Sequence, residues 1–161
     1  MTGNDVGAGR PHRTPTGPAD PHAATDASVA FGAAAHPHCV ACSSANACGL
    51  GLRYVQTGES SVEATFDCKA GYEGYPNVVH GGIVALLLDS AMMNCLFAAG
   101  RIAMTAQLTV RYHAPVLIGR TARIRAEVRR STGRLHLLEA TIVQDDNAKV
   151  TATGKFLTVP P

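Results

Sequence analysis

The chain contains no tryptophan, and its aromatic residues are four phenylalanines and four tyrosines, too few for a base-stacking platform. It has no long basic run and a net charge of only +2, so no nucleic-acid partner is expected. No uninterrupted apolar run reaches the roughly 18 residues of a spanning helix, and the N-terminus lacks the apolar stretch of a secretory signal. These absences predict a soluble, cytoplasmic protein with no membrane partner. Cysteines are few, odd in number and unevenly spaced, at positions 39, 42, 48, 68 and 95, which fits reduced thiols better than a disulfide framework. What is plentiful is apolar. Of 161 residues, 46% are hydrophobic and 16% charged, enough core for one globular domain and too little for two.

Residues 1–35 carry Pro11, Pro15, Pro18 and Pro21 among Gly, Ala, Asp, Thr and His without periodic apolar positions, and are read as a disordered N-terminal tail. Residues 36–161 are read as a single domain with a Cys-rich lead-in at 36–49. Within that lead-in, Cys39-x2-Cys42, Cys48 and the nearby His36 and His38 supply enough ligands for a tetrahedral zinc. No second pair follows downstream, so this is half of a usual site and no metal is assigned. Zinc at Cys39, Cys42 and Cys48 stays open as an alternative.

From Leu50 the pattern changes to alternation. Leu50–Val55 and Ser61–Phe66 read as two strands joined by a turn at Thr57–Ser60, followed by a Gly- and Tyr-rich loop from Gly71 to Asn77. Beyond a helix, four more strands are predicted. The first is Ala103–Tyr112, with Met104, Ala106, Leu108, Val110 and Tyr112 on one face and Thr105, Gln107, Thr109 and Arg111 on the other. The others run over Thr121–Arg129, Leu135–Val143 and Lys149–Val159, with turns at Ser131–Gly133 and Asp145–Asn147. The order β-β-α-β-β-β-β predicts an α+β domain in which a curled antiparallel sheet of five to six strands wraps one long central helix.

That helix carries the candidate chemistry. Ile83 to Met93 has apolar residues on every side and no proline, and Gly100 is placed to end it. Asp89 shares a face with Gly82, Ala85, Met93 and Leu96, where an unpaired charge is costly. A structural acid is the plainer reading of one such residue. His80-Gly81-Gly82 at the helix start alters the balance, because free backbone N–H groups and the helix dipole can meet a developing negative charge there. A carboxylate down the same helix is then a candidate base or nucleophile.

The strand order, with His80-Gly81-Gly82 and Asp89 nine residues after the histidine, resembles the hotdog-fold acyl-CoA thioesterases of the phenylacetyl-CoA thioesterase type. The likeness covers residues 50–160, and Cys39-x2-Cys42 with Gly49-Leu50-Gly51-Leu52 is also similar to many bacterial members. It implies that Asp89 activates water or attacks the thioester carbon and that the Gly81 amide is the oxyanion donor. It further implies that His80 helps place the carbonyl and that Thr105 reaches the site from the neighbouring subunit. Active sites would lie between protomers of a homodimer or homotetramer. One departure stands out: many relatives carry an amide side chain six residues before the histidine, where this chain has Gly74, while Asn77 lies three before.

An acyl-CoA substrate, fatty or aromatic, needs an apolar channel and a basic mouth, and its hydrolysis needs no metal or other cofactor because the thiolate leaves readily. Gly82, Asn77, Leu86 and Met93 are the substrate-side candidates near the helix, with Leu96 and Phe97 beside them. Arg129, Arg130 and Arg134 flank one hairpin turn and suit phosphate contacts, although a solvated tip would look the same. His113 and His136 receive no role. Two other readings remain: an acyl-CoA hydratase or dehydratase, for which no catalytic counterpart is seen, and a non-catalytic acyl-CoA-binding or interaction module. The acyl group, and coenzyme A against carrier-protein thioesters, are left open.

Overall fold

Strand alternation and one apolar helix decide the architecture. The computed structural model describes residue 32 and residues 34–159. The strands are β1 (Val55–Gly58), β2 (Ser61–Asp67), β3 (Glu73–Tyr75) and β4 (Val78–Val79), followed by the helix α1 (Gly81–Ala98). Four long strands complete the chain: β5 (Ala103–Tyr112), β6 (Thr121–Thr132), β7 (Leu135–Gln144) and β8 (Asn147–Thr158). Six of them form one antiparallel sheet in the order β1-β2-β6-β7-β8-β5, while β3 and β4 form a separate small hairpin. The expected α+β hotdog arrangement is therefore present, with that hairpin added.

The helix lies against the inner face of the sheet. Leu87, Leu88, Ala91, Met92, Cys95 and Leu96 are all fully buried, as are Ala122, Ile124, Ile142, Val150 and Phe156 on the strands. Each large apolar side chain so buried contributes on the order of 2 kcal/mol. Small residues let the helix settle close. A Cβ at Gly154 would lie 2.5 Å from Phe156 Cε2 and 2.7 Å from Met92 Sδ, so the helix side chains pack over this strand position where no side chain intervenes. With a mean hydropathy of 1.7 over 18 residues, α1 is long and apolar enough by composition to cross a membrane, contrary to the expectation that no segment is. Ten of its residues are buried in this fold, as in a core helix.

Several boundaries differ from the sequence reading, each for a physical reason. Leu50–Tyr54 alternates but is not a strand: the Leu50 and Leu52 amides donate to the Val40 and Ala41 carbonyls of the lead-in, at 2.7 and 2.9 Å, so no ladder forms until Val55. The tail assigned to 1–35 lies outside the described residues except at its end. Residues 32, 34 and 35 are helical and Gly32 is buried, so ordered structure starts before His36. The Gly- and Tyr-rich loop contains a 3-10 turn at Ala70–Tyr72 and the β3–β4 hairpin, whose turn places Asn77 at a φ of 63°, a conformation asparagine tolerates.

Of the register shifts in the strand ladders, two bear on the candidate site. Thr105 pairs with Phe156 and Gln107 with Lys155, so Ala106 is an extra residue, and likewise Arg129 lies between the Val128–Leu138 and Arg130–Leu137 pairs. Across the first bulge the expected faces are wrong. Thr105 joins Leu108, Val110 and Tyr112 on the helix side, opposite Phe156, Gly154, Ala152 and Val150, while Met104 pairs with the exposed Leu157 and faces outward.

His136, on the inner face of β7, is buried in a polar cluster beside the start of β5. An arginine can only donate, so Arg101 Nη1 at 3.3 Å and the Ser131 hydroxyl at 2.9 Å both donate to Nδ1, and Nε2–H donates to Thr158 Oγ1 at 2.7 Å. Burial first, then the Arg101 charge, holds His136 below its ordinary value. The unfolded chain therefore takes up this proton before the folded one, so stability should decline as pH falls below about 6.5. Denaturant midpoints measured from pH 7.5 to 5 should show this decline, and His136→Gln should remove part of it. An unchanged slope in the variant would contradict the assignment.

Candidate active site

The start of α1 is built by the histidine and glycines together. His80 is extended, its N–H donates to the Tyr72 carbonyl at 2.8 Å, and its Nδ1 accepts the Gly82 N–H at 3.0 Å, so the imidazole caps the helix. With Nδ1 accepting, the neutral ring carries its hydrogen on Nε2, where it can donate to a carbonyl. A Cβ on Gly82 would stand 3.1 Å from two ring atoms, which is why glycine fits beneath the cap. Gly81, the first helical residue, has no intrahelical acceptor for its N–H and no other partner among the described residues. Its carbonyl accepts from the Tyr112 hydroxyl at 2.8 Å, which ties this peptide to the far end of β5. The result is an oriented donor at the positive end of a helix dipole.

Asp89 lies two turns further on. Its Oδ1 accepts from Thr105 Oγ1 at 2.7 Å, leaving Oδ2 available to a water or substrate. This bond corrects the expectation that Thr105 reaches Asp89 from a neighbouring subunit: both belong to one chain, because the Ala106 bulge turns Thr105 toward the helix. Nor is the carboxylate enclosed, as the apolar wheel implied. Gly82, Ala85, Leu86 and Asp89 form a stripe left partly open in the single protomer, beside the unpaired edge of β5.

Gly81 and Asp89 cannot serve one carbonyl within one chain. Eight residues at about 1.5 Å rise separate them by roughly 12 Å along the helix. Of the other candidates, Leu86 is half-buried on the open stripe and Met93 is 8% exposed, whereas Leu96 and Phe97 are core residues. Asn77 is accounted for by its turn, and its N–H donates to Glu73 Oε1 at 2.6 Å. Gly74 packs on His80: a Cβ there would lie 2.9 Å from the His80 Cα, so an amide side chain has no room at this position. An open groove of about 810 Å³ adjoins the helix start, lined by Tyr75, Val78, Val84, Tyr112 and Val116 among others.

The arginine cluster is divided. Arg129, the bulged residue, donates through Nε to Glu139 at 2.8 Å and pairs with Glu127 at 3.1 Å, and these carboxylates raise its pKa further. Arg130 Nε contacts Thr132 Oγ1 at 3.3 Å, and Arg134 Nε donates to the Thr158 carbonyl at 3.1 Å, so the outer guanidinium nitrogens of both stay available. Tyr112 was missed by the sequence reading. Alternation placed it inward, but nothing local pointed to Gly81 as its partner. In the lead-in, the ligand-type atoms of His36, Cys39 and Cys42 lie within 4.8 Å of one another, while Cys48 is exposed and apart. Burial and the adjacent Cys39 push the Cys42 thiol up to about 11.

Residues 76–151 match the family model described as Thioesterase superfamily. The acyl-coenzyme A thioesterase THEM4 of Rattus norvegicus is 28% identical over 118 residues, which cover 70% of this chain and 51% of the rat protein. The chain spans about half the length of the curated relatives it matches. Among solved structures, a thioesterase superfamily protein is 29% identical with a TM-score of 0.69, covering 74% of this chain and 63% of that one. The E. coli PaaI protein from the phenylacetic acid degradation operon shares 20% identity and a TM-score of 0.72, over 84% of this chain and 96% of its own, a likeness of fold. Residues 76–151 are thus similar to the thioesterase superfamily, and the chain has the hotdog fold of PaaI.

The packing around His80 can be tested directly. Gly74→Asn should cost about 1–3 kcal/mol by overpacking against the His80 backbone, read as a lowered denaturant midpoint. Unchanged stability would mean that the β3–β4 hairpin is free to move aside.

Proposed function

We propose that this chain hydrolyses acyl-CoA thioesters as a dimer, with Asp89 as general base. The observation that carries this is the 2.7 Å Thr105–Asp89 bond on the open stripe of a helix whose first peptide N–H has no partner among the described residues. Thr105 fixes one carboxylate oxygen. The other takes a proton from water as that water attacks the thioester carbon, an oxyanion donor stabilises the tetrahedral intermediate, and collapse expels the coenzyme A thiolate. Such a donor is worth about 3 kcal/mol in the barrier.

The roughly 12 Å between Gly81 and Asp89 supports the dimer. An antiparallel partner helix would set the partner's Gly81 against Asp89, completing two equivalent sites. β5 supports the same reading: it is a ten-residue edge strand with one side unpaired, flanked by Ile102, Met104 and Tyr112, which are 42, 66 and 53% exposed. Pairing two such edges would cover the stripe around Asp89. The phosphate end of the substrate has a fitting surface as well. Thr105, Phe156 and His136 are successive cross-strand partners, so the β6–β7 tip with Arg130 and Arg134 stands about 10 to 15 Å from Thr105. A fatty or aromatic acyl group would occupy the apolar groove at the helix start. The name of the rat relative, an acyl-coenzyme A thioesterase, favours the same substrate class.

Thiol release from a panel of short, long and aromatic acyl-CoAs tests the reaction. Asp89→Asn should lower kcat at least roughly a hundredfold with the fold intact. Equal release by the variant would remove Asp89 from the chemistry, and tight acyl-CoA binding without release by the native chain would favour a binding module. Sedimentation velocity should give a dimer or a multiple of it, and a fully active monomer would contradict the shared site.

A further inference from the structure

The lead-in holds a cluster that the thioesterase reading does not use. His36, Cys39 and Cys42 are each half-buried and spaced three residues apart. The backbone between them runs as successive turns: the His36 N–H donates to Gly32, that of Cys39 to His36 and that of Ser43 to Cys39, at 2.9, 3.2 and 3.1 Å. In tight turns, residues three apart stack on one side, so three ligand-type side chains converge instead of fanning out. Their ligand atoms already lie within 4.8 Å of one another. Tetrahedral zinc, with bonds near 2.1 Å to nitrogen and 2.3 Å to sulfur, asks for separations of about 3.5 Å, a small adjustment.

The surroundings also fit an ion. The His36 ring stands edge-on to Phe97 with centroids 4.7 Å apart and planes at 80°, which fixes its orientation from below. A cavity of about 350 Å³ reaches His36 and Cys42 and is also lined by Asn94 and Tyr54, leaving space for a water as fourth ligand. Two sulfurs and an imidazole are soft to borderline donors that suit zinc and reject magnesium or calcium. We propose that His36, Cys39 and Cys42 bind one zinc ion whose fourth position opens to this cavity. The ion ties the successive turns of the lead-in into one unit, which packs beside the C-terminal half of α1 at Asn94 and Phe97. Cys48 takes no part, which replaces the Cys39, Cys42 and Cys48 set suggested by spacing alone. This site is independent of the thioesterase reading.

Cobalt is the probe, because its thiolate complexes absorb where zinc is silent. The full chain, reduced and stripped with a chelator, is titrated with Co2+ under inert gas. It should bind one ion with sulfur-to-cobalt charge-transfer absorption and the strong visible bands of a tetrahedral site, all displaced by Zn2+. Cys48→Ser should bind as the native chain does. Cys39→Ser and Cys42→Ser should lose the charge-transfer absorption, and His36→Gln, which keeps both thiols, should shift the visible bands and weaken binding. Zinc should raise the thermal midpoint of the native chain and of Cys48→Ser but not of Cys42→Ser. Should the cysteine variants fail to fold, the native, Cys48→Ser and His36→Gln titrations still decide. Absence of cobalt binding by the reduced native chain overturns the proposal. So does loss of the bands in Cys48→Ser, or a Cys39–Cys42 disulfide whose reduction creates no metal affinity.

Discussion

One hydrogen bond joins the edge of the sheet to the middle of the helix, and much of the candidate site depends on it. Thr105 can donate to Asp89 because a single extra residue, Ala106, interrupts the ladder between β5 and β8. Side chains on a strand alternate faces, so one residue of slip exchanges inside for outside. Without the bulge, a strand that placed Leu108, Val110 and Tyr112 inward would carry Thr105 outward and leave a carboxylate on an apolar helix without its donor. Tyr112, four residues past Leu108 on the same face, then fixes the Gly81 peptide. One edge strand thus holds both candidate groups on α1, Gly81 and Asp89, roughly 12 Å apart.

That dependence explains which features were legible in the sequence. The helix limits, the hairpin turns and the alternation of β6 follow from apolar periodicity and from glycine and aspartate placement, and they stand as read. The bulges do not. Residues 104 to 112 alternate without a fault, and nothing in that run marks Ala106 as extra, because the bulge is defined by the partner strand. The same limit hid the Tyr112–Gly81 contact, a pairing across 31 residues. It also gave Leu50–Tyr54 the look of a strand, since alternation reports which side is buried and not where the amides bond. In the lead-in, spacing favoured the three cysteines, whereas the turn geometry brings His36 to Cys39 and Cys42. The Asn46 side chain accepts the Cys48 N–H at 3.0 Å in a turn that takes Cys48 elsewhere.

Glycine use follows the same constraint. Gly74, Gly82 and Gly154 are places where another group comes close to where a Cβ would stand: the His80 backbone, the His80 ring, and the side chains of Phe156 and Met92, respectively. Two of the three shape the helix start. His80 itself has a clear local task as the cap of α1, and this fixes the direction of its remaining N–H rather than competing with a role toward substrate. The basic tip divides similarly: Arg129 is held by two carboxylates, and Arg130 and Arg134 keep free ends in the row that leads back to Thr105.

A double-mutant cycle on kcat measures the central claim most directly, that Asp89 and Thr105 act as one unit. Asp89→Asn, Thr105→Val and the pair are compared on the best acyl-CoA, with circular dichroism confirming that each is folded. If Thr105 works through the carboxylate, Thr105→Val slows the native enzyme but costs little further once Asp89 is replaced, so the combined loss falls well short of the product of the two single losses. If the losses multiply in full, the two residues act separately, and the edge strand does not position the base.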